Sequence, residues 1–332
     1  MTQMDDKHSI NFDSDDLVER AELYAYAQQF DLAEDEYREA LAEDPNNADA
    51  YLGLIRMHFI MRDFDKAQAV SDEGLTKLPE SAPMHSARAL LLLAKNQLEP
   101  AEQSLAKADA LDAEHYHVKY AHGRLLMEQC KYTAAEQAFR AATECAPAVV
   151  APFCYMQVGT ALVEQAKLEW SEETAQHAVN AFLRALEIMP QWEFGYCLAI
   201  SNLKQHPDPE VPLSIAERGL VEFPASQAIP FVALNPLIRA GRLEDAEYVY
   251  TEALPLIKEN VPALIALAET IAEFPPLYSY ALNVLEFADS HNPNDVSIAQ
   301  SFVLLHTAMG NAEQVARWKA RVEELRQSLA TF

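Results

Sequence analysis

Glycine, cysteine and basic residues are the scarce components of this chain. Its 332 residues include 8 Gly and 4 Cys, and 25 Lys and Arg stand against 51 Asp and Glu. The few glycines never form GxxxxGK followed by Ser or Thr, nor GxSxG, and HExxH is missing as well. The phosphate-cradling loop, the nucleophile elbow and the zinc-protease helix are therefore excluded, and no enzyme activity is expected. Cys130, Cys145, Cys154 and Cys197 contain no CxxC pair. They are expected to be reduced and mostly buried, as in a cytosolic protein. No run approaches 18 apolar residues, which excludes a conventional spanning helix. The opening MTQMDDKHSINFDSDD lacks the apolar core of a secretory signal. The expected location is the cytoplasm.

The shortage of positive charge leaves a formal net charge of −26. Within the first 50 residues, 15 Asp or Glu face only Lys7, Arg20 and Arg38. Such a field repels phosphate backbones and anionic lipid, so neither nucleic acid nor membrane is an expected partner. Its simplest role is a soluble, self-repelling surface. A basic partner would be attracted, within the roughly 8 Å that physiological salt allows.

What the chain does have is a period. From Ser14 to Pro45 it reads SDDLVERAELYAYAQQFDLAEDEYREALAEDP, two amphipathic helices around a tight turn. Counting Ser14 as position 1, Ala33 holds position 20, and steps of 34 lead to Ala67, Ala101 and Ala135. Ala40 at position 27 leads likewise to Gly74, Ala108 and Ala142, and Pro45 at position 32 to Pro79, Ala113 and Pro147. Later landmarks keep the register: Ala178, Phe182, Ala185 and Pro190, then Ala216, Gly219 and Pro224, then Ala246, Tyr250 and Ala253, then Ala281, Leu285, Ala288 and Pro293. Small residues recur because two helices must cross closely, also at position 8 of the first helix, where Ala21, Ala89, Gly123 and Gly159 fit while Ile55, Ile200 and Leu234 do not. Proline at position 32 ends the second helix, since it biases its predecessor away from helical angles.

A fixed period of 34 residues marks a repeat architecture, and this pattern resembles the tetratricopeptide repeat family over about residues 14–325. The resemblance implies an all-α fold: an α-solenoid, a right-handed superhelix of about eight to nine helix-turn-helix units with a C-terminal capping helix. Units are expected near 14–47, 48–81, 82–115, 116–149, 150–192, 193–226, 227–260 and 261–294, with a degenerate ninth and its cap over 295–332. Val315, Lys319 and Val322 carry the ninth unit, and Leu325 and Leu329 extend the cap. Residues 1–13 are expected to be polar and disordered, and Ser14 to cap the first helix. The step from Pro147 to Pro190 is nine residues too long, which implies a longer turn or longer helices in the fifth unit. There Trp170 precedes a candidate cap, Ser171, and could pack back on its helix or stay exposed. Pro212 suits a first helical position. Pro236 should kink its helix, and Pro255 threatens the end of the next, so 195–263 should depart from the regular stack.

His115, His117 and His122 come nearest to a metal-ligand cluster. His117 and His122 are five apart, not on one helical face, so structural or solvent-facing roles are expected and neither metal nor cofactor. The family resemblance instead points to the inner face, lined by positions 2, 5, 9, 12 and 13 of each first helix. Carried onto this sequence, these give Asp49, Leu52, Arg56, Phe59 and Ile60, then Ser86, Leu90, Leu93 and Ala94. They continue with His117, Tyr120, Arg124, Met127 and Glu128, then Phe153, Met156, Thr160 and Val163, and further along Phe194, Cys197, Lys204, Phe231, Asn235 and Arg239. Leu52, Arg56, Phe59, Leu90, Tyr120, Arg124, Met127, Phe153 and Met156 are the peptide-binding candidates, although Leu52 and Leu90 could equally be core. Arg56 and Arg124 could pair with Asp49 or Glu128, or grip a carboxylate or phosphate on a partner. The family's carboxylate clamp needs Lys and Asn where Val18, Glu22, Gly53, Pro83 and Ala87 stand, so binding of an acidic chaperone tail is not implied. The expected function is a non-catalytic adaptor holding a peptide segment of a partner protein. Two alternatives are a self-assembling homo-oligomer, joined through the helix ARWKARVEELRQ, and a substrate-recruiting subunit of an enzyme complex.

Overall fold

The computed structural model describes residues 13–26 and 29–329. The segment expected to be disordered lies, up to residue 12, outside them. Every regular element among the described residues is helical, and the helices gather into two compact units, Met1–Ile188 and Met189–Phe332.

The first unit is a row of helical hairpins. α1 (Ser14–Tyr26) pairs with α2 (Phe30–Glu43), α3 (Ala48–Ile60) with α4 (Phe64–Lys77), and α5 (Ala82–Ala94) with α6 (Leu98–Asp112). α7 (Tyr116–Glu128) pairs with α8 (Tyr132–Cys145), and α9 (Ala151–Leu168) with α10 (Glu172–Ile188). α2, α4, α6 and α8 each also pack on the hairpin that follows, and α1, α3, α5 and α7 touch in succession. In the second unit α11 (Glu193–Leu203) pairs with α12 (Glu210–Glu222), and α13 (Ala228–Val232) and α14 (Leu234–Arg239) together face α15 (Leu243–Ile257). α16 (Val261–Ala272) pairs with α17 (Tyr278–His291), and α18 (Val296–Ala308) with α19 (Ala312–Leu329). This is the architecture of an all-α solenoid. Its last hairpin is complete, with the Trp318 ring flat on Phe302 at 3.9 Å and Val322 and Leu325 buried against Ala299.

Rings on the second helices fit the small residues of the first. A Cβ added to Gly123 would stand 2.5 Å from the Phe139 ring, and one on Gly159 would stand 2.6 Å from Phe182. Beside the misfit Ile55 the chain uses Gly53 instead, which lies directly under Tyr37 of the preceding hairpin. Ile55 is itself buried. These three rings are fully buried.

Proline sets helix length as expected. α2, α4 and α8 end one residue short of Asp44, Leu78 and Ala146, each followed by proline, and all span 14 residues. Where Ala113 or Lys258 replaces that proline, α6 and α15 run to 15. The fifth-unit insertion goes into the helices, giving 18 residues in α9 and 17 in α10. Pro236 does more than kink its helix. It lacks the N–H that would bond Val232, and the helix breaks between them at Ala233. Pro255, by contrast, is carried inside α15, which continues to Ile257. Pro212 is the third residue of α12, not the first, still within the turn whose N–H groups lack helical partners. Ser171 caps α10 by accepting from the Thr174 N–H at 3.4 Å, while Trp170 stays 55% exposed. Only half of the thiols follow expectation: Cys154 and Cys197 are buried, but Cys130 and Cys145 are exposed.

The first cap differs by one residue from the expected Ser14. Asp13 Oδ1 accepts from the N–H groups of Asp15 and Asp16, and steps of 34 lead to Asn47, Ser81 and His115, which cap α3, α5 and α7. Ser14 instead donates its hydroxyl to the Ala40 carbonyl at 3.0 Å and accepts from Asn47 at 2.8 Å, tying three helices together. A second row lies in the hairpin turns. Arg62, Asn96, Cys130, Gly241 and Gly310 all have φ between 56° and 74°. In each turn the residue's own N–H bonds the carbonyl three back, and the next N–H bonds the carbonyl five before it. That is the Schellman closure, which satisfies the last carbonyls of a helix.

Two predictions follow from these constraints. Left-handed backbone costs a residue with a Cβ roughly 1–2 kcal/mol, and glycine almost nothing. Gly310→Ala should therefore lose about 1 kcal/mol in a denaturant titration, and Arg62→Gly should gain about 0.5 kcal/mol. The second concerns His58 and His306, which are buried with Nδ1 unpartnered. Burial pulls both imidazoles below the ordinary 6.5, outweighing the nearby Glu34 and Glu286 carboxylates. The folded state then binds fewer protons than the unfolded chain below pH 6.5. Melting temperature should be flat above that pH and fall as acid is added, and His58→Gln should flatten part of the fall.

Candidate functional site

The first unit collects a polar and aromatic cluster on its first helices. Glu22, Arg56 and Arg124 all occupy position 9 of their hairpins, so stacking sets them in line along α1, α3 and α7. Arg56 pairs with Glu22, one repeat earlier, and the Tyr37 phenol lies beside the pair without completing a regular hydrogen bond. Burial raises that phenol's pKa, with Glu22 adding to the effect. Arg124 reaches Gln157 on α9 at 3.3 Å and Glu128 at 3.6 Å. Neither guanidinium is left as an open fork for a partner's carboxylate.

Across α5 the cluster closes. Ser86 and Ala87 are small and buried there, and Tyr116 and His115 of the α7 end feel Asp49 of α3. Burial pushes the Tyr116 phenol up to about 12, with Asp49 raising it and Arg56 opposing. His115, Tyr116 and His117 stack on one another, with Tyr116 4.8 Å from the first ring and 4.3 Å from the second. Burial, then His115 and Arg56, bring His117 down to about 3, so it is neutral at physiological pH. His122 instead contacts Asp109 at 2.7 Å. No three His, Cys, Asp or Glu among the described residues are grouped to hold a metal ion.

The nine peptide-binding candidates divide by exposure. Leu52 and Met156 are buried and belong to the core, so they present nothing to a ligand. Leu90 is half-buried against the cluster of α5, α6 and α7. Tyr120, Arg124, Met127 and Phe153 are half-buried like Leu90, whereas Arg56 and Phe59 are exposed, Phe59 beside Phe64 with ring centres 5.5 Å apart. Tyr120 meets Phe139 edge-on, and burial raises its phenol pKa against the pull of Arg124. Of the second unit's candidates, Lys204 lies 3.6 Å from Glu273 and Asn235 donates to the same carboxylate at 2.6 Å. Arg239 there donates to the Lys204 carbonyl at 2.6 Å. Sequence reasoning missed Tyr116, which sits at position 1 of its unit, outside the positions assigned to the inner face.

No helix among the described residues is long and apolar enough to cross a membrane. Comparison with known proteins agrees with the architecture. The chain is similar to human IFIT1, solved as a dimer with PPP-AAAA, at 14% identity and a TM-score of 0.58, covering 94% of this chain and 73% of that one. It is also similar to a chain of the APC/C heterotetramer Cut9–Hcn1, at 14% identity and a TM-score of 0.61, over 89% of this chain and 55% of that one. At such identities the likeness is one of fold. No curated protein matches the sequence. Residues 24–91 match the tetratricopeptide repeat profile, a stretch that runs from α1 into α5. Over residues 24–91 the chain therefore carries the tetratricopeptide repeat, and its other helical hairpins share that fold.

Proposed function

We propose that this protein is a non-catalytic adaptor whose first unit holds a segment of a partner protein along the inner face of α3, α7 and α9. Repeat proteins of this family generally mediate protein–protein interactions. The observation that carries the reading is the group of half-buried Tyr116, Tyr120, Met127 and Phe153, each with an accessible edge, and exposed Phe59, around charges already neutralised within the chain. Aromatic and Met side chains left open in a polar setting are the usual anchors of an interface. Because Arg56 and Arg124 are engaged internally, the partner segment is expected to offer apolar anchors, not an acidic tail. Burying one such anchor gains about 1.5–3 kcal/mol, so two or three would give micromolar binding after ordering costs. A cytoplasmic setting goes with this reading, since all four thiols are free.

Selection of a random peptide library on the full chain tests the assignment. Peptides retained by the wild type should be rich in aliphatic or aromatic residues. They should lose tenfold or more in affinity, about 1.4 kcal/mol, for Tyr120→Ala and for Phe153→Ala, with helicity unchanged. Selected peptides that bind both variants as tightly as wild type would move the binding surface elsewhere.

A further inference from the structure

No other described helix exposes as many large apolar side chains as α15. Leu243 is 47% exposed, Tyr248 69% and Leu256 59%. Only Ala246 and Tyr250 of its 15 residues are buried, whereas α10, 17 residues long, buries seven. The cause lies in the helices it faces. A first helix of full length would cover one side of α15, but the break at Ala233 leaves α13 and α14 with 5 and 6 residues. Val249, Leu254 and Ile257 are consequently only half-buried. Spaced four apart, Glu244, Tyr248, Glu252 and Leu256 form one exposed row in which acid and apolar side chains alternate. The row is about 18 Å long at the helical rise. Apolar surface left open and rimmed by charge marks an interaction site.

The charge along the row selects its partner. α15 holds Glu244, Asp245, Glu247 and Glu252, and no Lys or Arg. Among the described residues, Glu244, Glu247 and Glu252 form no ion pair, while Asp245 is held by Arg242 at 2.8 Å. Arg242 also reaches Glu217 of α12 at 3.6 Å, so its guanidinium is occupied. The next cation along the chain is Lys258, the residue after the helix. Unpaired carboxylates set between open Tyr and Leu side chains complement cations set between apolar ones. A basic amphipathic helix offers that alternation at the matching spacing. The α19 helix of a second copy is basic but does not supply the apolar half, because its Trp318, Val322 and Leu325 are packed on α18. We infer that the outer face of α15 docks a basic amphipathic helix of a partner protein. Apolar side chains of that helix rest on Tyr248, Val249 and Leu256, and its cations meet Glu244 and Glu252. This surface belongs to the second unit and does not depend on the inner-face reading.

Fluorescence anisotropy of labelled synthetic peptides with the full chain tests the inference. The probes are a Leu/Lys amphipathic helix of about 14 residues, the same peptide with Glu for Lys, and the same with Ser for Leu. The Leu/Lys peptide should bind at about 100 μM or tighter, and the other two at least about tenfold more weakly. Tyr248→Ser and Leu256→Ser should each weaken it about fivefold or more. Both side chains are exposed, so melting temperature should keep its wild-type value. Leu23→Ser, which removes an exposed leucine from the acidic α1, should leave the affinity unchanged. No saturable binding, affinity kept in both α15 variants, or an equal loss in Leu23→Ser overturns the site. Equal binding of the Glu peptide overturns the basic character of the partner, and equal binding of the Ser peptide overturns the apolar contact. Light scattering covers the other occupant: a wild-type dimer that Tyr248→Ser dissociates would assign the face to a second copy and overturn the partner helix.

Discussion

The stack depends on aromatic rings seated on residues too small to hold them off. Phe139 over Gly123 and Phe182 over Gly159 lock two hairpins internally, while Tyr37 over Gly53 locks one hairpin to the next. Gly74 repeats the device in α4, where an added Cβ would come 3.0 Å from the Tyr51 ring. Each fit lets a helix pair approach until a large ring is wholly buried, which gains dispersion contacts and removes apolar area from water together. A methyl group at the glycine would force the ring or the helix away. The small-residue row of the sequence is thus the footprint of rings contributed by a different helix.

That seam decides what is left for function. Rings and small residues turned into the hairpins take Leu52 and Met156 into the core with them, leaving only part of the expected inner face open. Position 9 then carries charge, but stacking places Glu22 against Arg56, and Arg124 beside Gln157. The inner face is consequently aromatic with its charges balanced, which favours recognition by apolar contact.

Much of this was legible in the sequence. Pro45, Pro79 and Pro147 mark helix ends because proline acts through local sterics, which sequence records directly. The left-handed turn row was not legible, since Arg62, Asn96, Cys130, Gly241 and Gly310 share a conformation and no residue type. The demand there comes from closing the hairpin. Asp13 and Ser14 can both cap a helix, and only the contacts of Ser14 with Ala40 and Asn47 separate them. Proximity in sequence offers Arg56 only carboxylates such as Asp49, whereas the repeat supplies Glu22 at the same position of the preceding unit. Which inner residues are open depends on helix rotation of a few tens of degrees, and a periodic pattern does not fix that for Leu52 or Met156.

A double-mutant cycle on Gly123 and Phe139 tests the central claim most directly. If the ring and glycine form one fitted contact, Gly123→Ala should cost about 1–3 kcal/mol in the wild type and markedly less beside Phe139→Leu. A coupling of about 1 kcal/mol or more, read from denaturant unfolding, supports ring-on-glycine packing as the constraint that sets the stack. Additive losses within about 0.5 kcal/mol would show that the two residues act independently and would contradict the account.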